Sequence, residues 1–61
     1  MRDPNRLYKF YNELTRIHHT YVPDWRFAQM IHNIFGHEDI FYLEENDVLK
    51  RIKAYFNESE E

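Results

Sequence analysis

Hydrophobic residues recur at helical spacing in three separate stretches of the chain. The apolar stripe of the first stretch consists of Leu7, Phe10, Tyr11, Leu14, Ile17, His18 and Tyr21, and a charged stripe consists of Arg6, Lys9, Glu13 and Arg16. Two stripes at this spacing are typical of an amphipathic helix. Asp3 and Pro4 come just before, and a capping residue followed by proline favours a helix start. We predict a first helix over about residues 4–20.

The second stretch carries the most complete helix signal and organises the rest of the chain. Pro23 cannot continue a helix that arrives from its N-terminal side. Asp24 offers a carboxylate to the free amide hydrogens of a first turn, and Gly36 can adopt the positive φ that often ends a helix. The apolar stripe between them consists of Phe27, Ile31, Ile34 and Phe35, with Met30 beside it. This pattern predicts a central helix over residues 24–35.

The third helix follows a short apolar run at residues 40–43. This run is too short to be a helix, and we interpret it as an extended segment that inserts Phe41 and Leu43 into the core. With Glu44 as N-cap, Leu43 and Val48 would form a hydrophobic staple, and Asn46 is the alternative cap. We predict a third helix over residues 45–56 and a frayed acidic tail over residues 57–61.

The three stretches together predict an all-α, three-helix domain that spans residues 1–61. The predicted core is Leu7, Phe10, Leu14, Ile17, Phe27, Ile31, Ile34, Phe35, Phe41, Leu43, Leu49, Ile52 and Phe56. A chain of 61 residues buries a smaller share of its surface than a larger domain does, so this core should be thin. Truncation of Phe27 or Ile31 to alanine should therefore unfold the protein.

Composition and charge narrow the function classes. The chain contains no cysteine, which excludes disulfides and thiolate metal sites. Its net charge of −3 argues against general binding to nucleic acid or to anionic membranes, both of which require cations. The N-terminus has no apolar run typical of a signal peptide, and no stretch is long enough to span a bilayer. We therefore expect a cytoplasmic protein.

Residues suited to catalysis or metal binding are sparse. His18, His19, His32 and His37 lack a His-x-x-x-His pair, so we expect ordinary surface histidines, no metal site and no cofactor. The carboxylate pairs at residues 38–39 and 44–45 fall where helix capping would place them. With no cysteine and a single serine in the tail, we expect the protein not to be an enzyme.

Aromatic residues make up 18% of the chain, more than a small core needs, and they favour protein binding. The predicted partner-binding residues are Trp25, Arg26, Gln29, Tyr42, Glu44, Glu45 and Asp47. One alternative is a nucleic-acid-binding regulator that uses Arg26, Lys50, Arg51 and Lys53. Another is a structural homodimer whose aromatic residues bury one another.

Three blocks of the sequence resemble a group of small bacterial and phage proteins without an assigned activity. The blocks are an Arg-Asp-Pro start at residues 2–4, a Pro-Asp-Trp-Arg-Phe-Ala-Gln block at residues 23–29 and an Asp-Ile-Phe-Tyr-Leu-Glu-Glu block at residues 39–45. Ala28 stands where the group usually has glycine. The resemblance implies a bacterial or phage setting, in which a protein-binding regulator could inhibit a host protein.

Overall fold

The computed structural model describes residues 2–58, which form three α-helices and no β-strand. Helix α1 spans Arg6–Tyr21, α2 spans Phe27–Phe35 and α3 spans Glu45–Tyr55. The predicted all-α, three-helix architecture is confirmed. Among the described residues, none of the helices is both long and apolar enough to cross a bilayer.

Helices α1 and α3 lie side by side and run in the same direction. Arg6 near the start of α1 pairs with Glu45 at the start of α3, and Glu13 further along α1 pairs with Lys53. Helix α2 connects the end of α1 to the segment before α3, and α3 packs against both of the other helices. One end of the bundle therefore contains the first residues of α1 and α3, and the opposite end contains their last residues.

The core contains one fully buried side chain from each helix. These side chains are Ile17 in α1, Met30 in α2 and Ile52 in α3. Leu14 and Phe35 complete the set of buried residues. Half-buried side chains pack around this set: Phe10, Val22, Trp25, Ile31, Ile34, Ile40, Leu43, Val48, Leu49 and Phe56.

Two predicted core residues lie on the surface instead. The side chain of Phe27 is 55% exposed and that of Phe41 is 81% exposed. Met30, which the pattern placed at the edge of the stripe, is fully buried, so α2 turns Met30 and Phe35 to the core, whereas Phe27 is its exposed first residue. Leu7 is only half-buried and lies outside the core cluster.

The later start of α2 follows from a turn that contains Pro23. The backbone N–H of Trp25 donates to the carbonyl of Val22 at 3.0 Å, which closes a β-turn with Pro23 at its second position. Proline favours that position because its ring fixes φ near −65°. Asp24 is therefore a turn residue and not the N-cap, and Arg26 occupies the N-cap position without a side-chain hydrogen bond.

Gly36 ends α2 in a backbone conformation that favours glycine. Its φ of 62° and ψ of −128° are those of the second residue of a type II′ turn, and the N–H of Glu38 closes that turn on the carbonyl of Phe35 at 3.0 Å. A Cβ at Gly36 would meet no atom within 4 Å, so the requirement for glycine is one of backbone conformation alone.

Asn57 and Glu58 form an ordered end to α3. Asn57 has a φ of 61°, its N–H donates to the carbonyl of Ala54, and the N–H of Glu58 donates to the carbonyl of Lys53. These two bonds define a Schellman motif, a common way to end a helix. The frayed acidic tail predicted for residues 57–61 thus begins with two residues in this motif, and residues 59–61 lie outside the described part.

We expect Ile17→Ala to unfold the protein or to lower its free energy of unfolding by about 2–5 kcal/mol, because Ile17 is fully buried at the contact of the three helices. The matched control Phe27→Ala should cost less than about 1 kcal/mol, because the Phe27 ring is mainly in solvent. Urea unfolding followed by circular dichroism measures both. Equal losses for the two variants would contradict this account of the core.

We expect Gly36→Ala to destabilise the protein by about 1–3 kcal/mol, because a side chain disfavours the positive φ at this position. Gly36→Asn should cost about as much, since asparagine tolerates positive φ mainly near ψ of about +45° and Gly36 has a ψ of −128°. The same urea titration compares the two. A wild-type urea midpoint for either variant would contradict the assigned requirement for glycine.

Candidate functional site

The most exposed large hydrophobic side chains lie at the tip of one turn, residues 40–43, which we name the aromatic turn. The N–H of Leu43 donates to the carbonyl of Ile40 at 3.1 Å, so Phe41 and Tyr42 occupy its two central positions. Both are 81% exposed, and their rings meet edge to face with centroids 5.0 Å apart. The predicted extended segment is therefore a turn.

The aromatic turn is fixed to the domain from both sides. Ile40 and Leu43 are half-buried and pack against the core, while Oδ1 of Asp39 accepts the N–H of Phe41 at 3.0 Å. Aspartate commonly stabilises a turn by this local hydrogen bond. Phe41 and Tyr42 are thus presented to solvent on a backbone that is held by other residues.

Acidic residues come directly before and after the aromatic turn in the sequence. Glu44 follows the turn at the N-cap of α3 and pairs with Arg2 at 2.6 Å, and Glu45 pairs with Arg6 at 3.0 Å. Asp39 and Asp47 are exposed, and neither has an ion pair with another described residue. The predicted residues Tyr42, Glu44, Glu45 and Asp47 therefore lie at one end of the bundle, near the start of α1.

The other predicted contact residues lie at the opposite end. Nε2 of His18, near the end of α1, lies 2.7 Å from the carbonyl oxygen of Trp25, which places Trp25 beside that end. His18 follows Arg6 by about 18 Å along the helix axis. Trp25 is half-buried against the core, whereas Arg26 and Gln29 are exposed. The predicted partner-binding residues thus form two separate groups.

A groove with a volume of about 860 Å³ runs between α1 and α3. Both helices contribute residues at the same i, i+3, i+4, i+7 spacing, as expected for two helices that run side by side. The lining residues are Arg6, Lys9, Phe10, Glu13, Glu44, Glu45, Asn46, Leu49, Lys50 and Lys53. Phe10 and Leu49 also pack against the core, so they form an apolar floor between charged walls.

The basic residues predicted as an alternative site do not form one surface. Lys50 and Lys53 line the groove. Arg51 points elsewhere: its guanidinium pairs with Glu38 and lies 5.5 Å from the centre of the Phe35 ring. Arg26 lies at the start of α2. These four cations therefore cannot all contact one nucleic-acid strand through a single surface.

The histidines lie in separate places. His18 donates from Nε2 to the carbonyl of Trp25, because a carbonyl oxygen can only accept, and that nitrogen is then not offered to a metal. His32 and His37 meet edge to face with ring centroids 5.7 Å apart, and His19 is exposed on α1. Within residues 2–58, no group of three or more potential metal-ligating side chains lies together.

An ion-pair network joins the ends of α1 and α3. The guanidinium of Arg16 donates to Glu13 at 2.9 Å and to Glu58 at 2.6 Å, while Lys53 pairs with Glu13 at 3.1 Å. The hydroxyl of Tyr21 donates to Glu58 as well. Hydrogen bonds from Arg16 and then Lys53 lower the pKa of Glu13 to about 2. Lys9 lies four residues before Glu13, a spacing that favours an ion pair on a helix. Glu13 nevertheless pairs with Arg16 and Lys53.

Sequence reasoning missed two residues that the geometry makes prominent. Phe41 was assigned to the core because apolar runs are usually buried, yet Asp39 two residues earlier is a recognised turn signal. For Lys9, the sequence predicts only a place in the charged stripe of the first helix. Its position in the groove depends on the parallel pairing of α1 with α3, for which the sequence carries no local signal.

Comparison of the chain with models of known protein families, with curated proteins and with solved structures finds no match. The resemblance of its three sequence blocks to small bacterial and phage proteins therefore stays a prediction.

We expect the stability of the protein to fall as the pH drops from about 4.5 to about 2. The folded pKa of Glu13 lies below its ordinary value, so its ion pairs stabilise the fold at neutral pH and are lost as Glu13 is protonated. Glu13→Gln should show a smaller difference in urea midpoint between about pH 7 and about pH 3 than the wild type.

The control for this experiment is Asp24→Asn, which removes an exposed carboxylate of the turn before α2 that has no ion pair with a described residue. It should keep the pH dependence of the wild type. If Glu13→Gln also keeps it, Glu13 does not carry the acid sensitivity assigned to it here.

Proposed function

We propose that this protein is a non-enzymatic module that binds another protein through the aromatic turn. The observation that carries the proposal is the position of Phe41 and Tyr42, each 81% exposed at the tip of a turn that other residues hold in place. Burial of a large apolar side chain is worth about 1.5–3 kcal/mol, and neither ring contributes this to the fold. In a complex, the burial of both rings would contribute this free energy to binding.

The fixed backbone of the turn favours binding over aggregation. Residues that are already held in one conformation lose less entropy on association, so more of the contact energy appears as affinity. Ile40 and Leu43 anchor the turn in the core, and the side chain of Asp39 holds the N–H of Phe41. Two neighbouring aromatic rings on a rigid turn resemble the central anchors found at protein interfaces.

The charges around the turn define the partner surface that it would fit. Asp39 and Glu44 flank the turn in the sequence, Asp47 lies in the first turn of α3, and all three are exposed. A complementary surface has an apolar pocket that accepts Phe41 and Tyr42 and a rim of lysine or arginine. Such a module acts by covering that pocket, with no chemical step. In the bacterial or phage setting implied by the sequence, it would act in the cytoplasm and could inhibit a host protein.

Homodimer formation is a second candidate, favoured by one face of α1. Tyr8 is 75% exposed and Tyr11 is 57% exposed, and they lie with Leu7 on the side of α1 away from the groove. The six residues that line this shallow face carry no formal charge: Pro4, Asn5, Leu7, Tyr8, Tyr11 and Asn12. Two copies of a chain with net charge −3 could meet there without placing like charges together.

We expect Phe41→Ala/Tyr42→Ala to abolish capture of a partner protein while circular dichroism and the urea midpoint stay near those of the wild type. Both rings are exposed, so their removal should not disturb the core. Capture from a bacterial lysate, with identification by mass spectrometry, supplies the partner. Titration of that purified partner against each variant by calorimetry then measures the loss in affinity.

Two control variants make this test specific. Tyr8→Ala/Tyr11→Ala removes two exposed aromatic rings from the other surface, and Trp25→Ala/Arg26→Ala tests the opposite end of the bundle. Both should retain the partner if the aromatic turn is the contact. Loss of binding only with the tyrosine variant, together with a concentration-dependent mass of the wild type, would instead support the homodimer.

A further inference from the structure

The basic residues of this acidic chain are concentrated in the α1–α3 groove. All three lysines of the sequence, Lys9, Lys50 and Lys53, line it. Arg6 lines it as well, so half of the eight lysines and arginines face one groove in a chain of net charge −3. With three carboxylates beside these four cations, the residues that line the groove carry a net charge of +1, whereas the whole chain carries −3.

Within residues 2–58, two of these four cations have ion-pair partners and two do not. Arg6 pairs with Glu45 at 3.0 Å, and Lys53 pairs with Glu13 at 3.1 Å. Lys9 and Lys50 are exposed and form no ion pair with any residue of the described part. The remaining carboxylate of the groove, Glu44, pairs with Arg2. The uncompensated charge in the groove is thus positive and is located on Lys9 and Lys50.

The floor of the groove is apolar. Phe10 from α1 and Leu49 from α3 are half-buried there, and both pack on the core beneath. A volume of about 860 Å³ lies within the range of sites that enclose small ligands, and it can accept one bulky side chain with its flanking backbone. The groove therefore offers apolar contact below and positive charge at its edges.

We propose that the α1–α3 groove binds an acidic segment of a protein that carries one bulky apolar side chain between carboxylates. The apolar side chain lies on Phe10 and Leu49, and the carboxylates on either side pair with Lys9 and Lys50. A peptide fits better than a nucleic acid, because Glu13, Glu44 and Glu45 also line the groove. A continuous phosphate backbone would meet these carboxylates. A peptide can place its charges selectively.

This inference does not depend on the aromatic turn. The turn presents rings to a pocket on a partner, whereas the groove is itself the receptor. The two sites can be tested separately because Phe41 and Tyr42 do not line the groove.

The test uses a synthetic peptide that has one phenylalanine flanked on each side by two glutamates, with both ends blocked. Titration into ¹⁵N-labelled protein should give saturable shift changes confined to groove residues. Lys9→Gln/Lys50→Gln should weaken binding by about tenfold, since it removes both uncompensated charges. Both lysines are exposed and have no described ion pair, so this variant should fold like the wild type.

The matched control is Arg26→Gln/Arg51→Gln, which removes the same charge from outside the groove and should bind the peptide like the wild type. A peptide with glycine in place of phenylalanine should bind more weakly because it makes no contact with the apolar floor. Equal binding by the two double variants would overturn the proposal, as would equal binding of the glycine peptide. Tighter binding of a single-stranded oligonucleotide at the same ionic strength would replace it with a nucleic-acid site.

Discussion

The structure depends on the meeting of three side chains, Ile17, Met30 and Ile52, one from each helix. They are the fully buried side chains of the described residues, and all three belong to one hydrophobic cluster. A 61-residue chain has too little volume for a second layer of core residues, so the fold has this one cluster to bury, and α3 packs against both of the other helices around it. Because the helices pack around this one cluster, it also positions the turns between them, including the aromatic turn, and the groove between α1 and α3.

Ion pairs arranged along α1 and α3 add a second constraint on the same helices. They begin at Arg6 and Glu45 and end at Arg16 and Glu58, and the Schellman motif after α3 sets where Glu58 lies. Exposed pairs of this kind contribute little energy individually. Their consistent spacing along two helices instead favours one relative position of α1 and α3, and that position creates the groove with its lysines on both walls.

The sequence predicted the helices well and their surroundings less well. Helical periodicity placed all three helices within three residues of their observed ends, because periodicity is a local property. Phe27 and Phe41 were misplaced because apolar character alone does not determine which way a residue faces. Pro23 lies in a turn, α2 begins at Phe27, and packing turns Met30 and not Phe27 to the core. The groove could not be predicted, since it requires residues from helices far apart in sequence to meet in parallel.

The candidate site was predicted only in part, because sequence patterns are local and a surface combines residues from distant parts of the chain. Tyr42 and the acidic residues after it are adjacent in sequence, so the structure keeps them together. Trp25 and Arg26 belong to another loop, and the bundle separates them by most of its length. Local sequence can identify residues suited to recognition, but only the packing of the helices decides which of them share a surface.

The aromatic turn separates the residues that hold it from the residues that it displays. Ile40, Leu43 and Asp39 fix its backbone, whereas Phe41 and Tyr42 contribute nothing to the core. Selection can therefore exchange the two displayed residues without a stability penalty, although most substitutions in so small a domain are costly. Under pressure from a changing partner, this pair of positions could diversify quickly while the bundle that carries it stays constant.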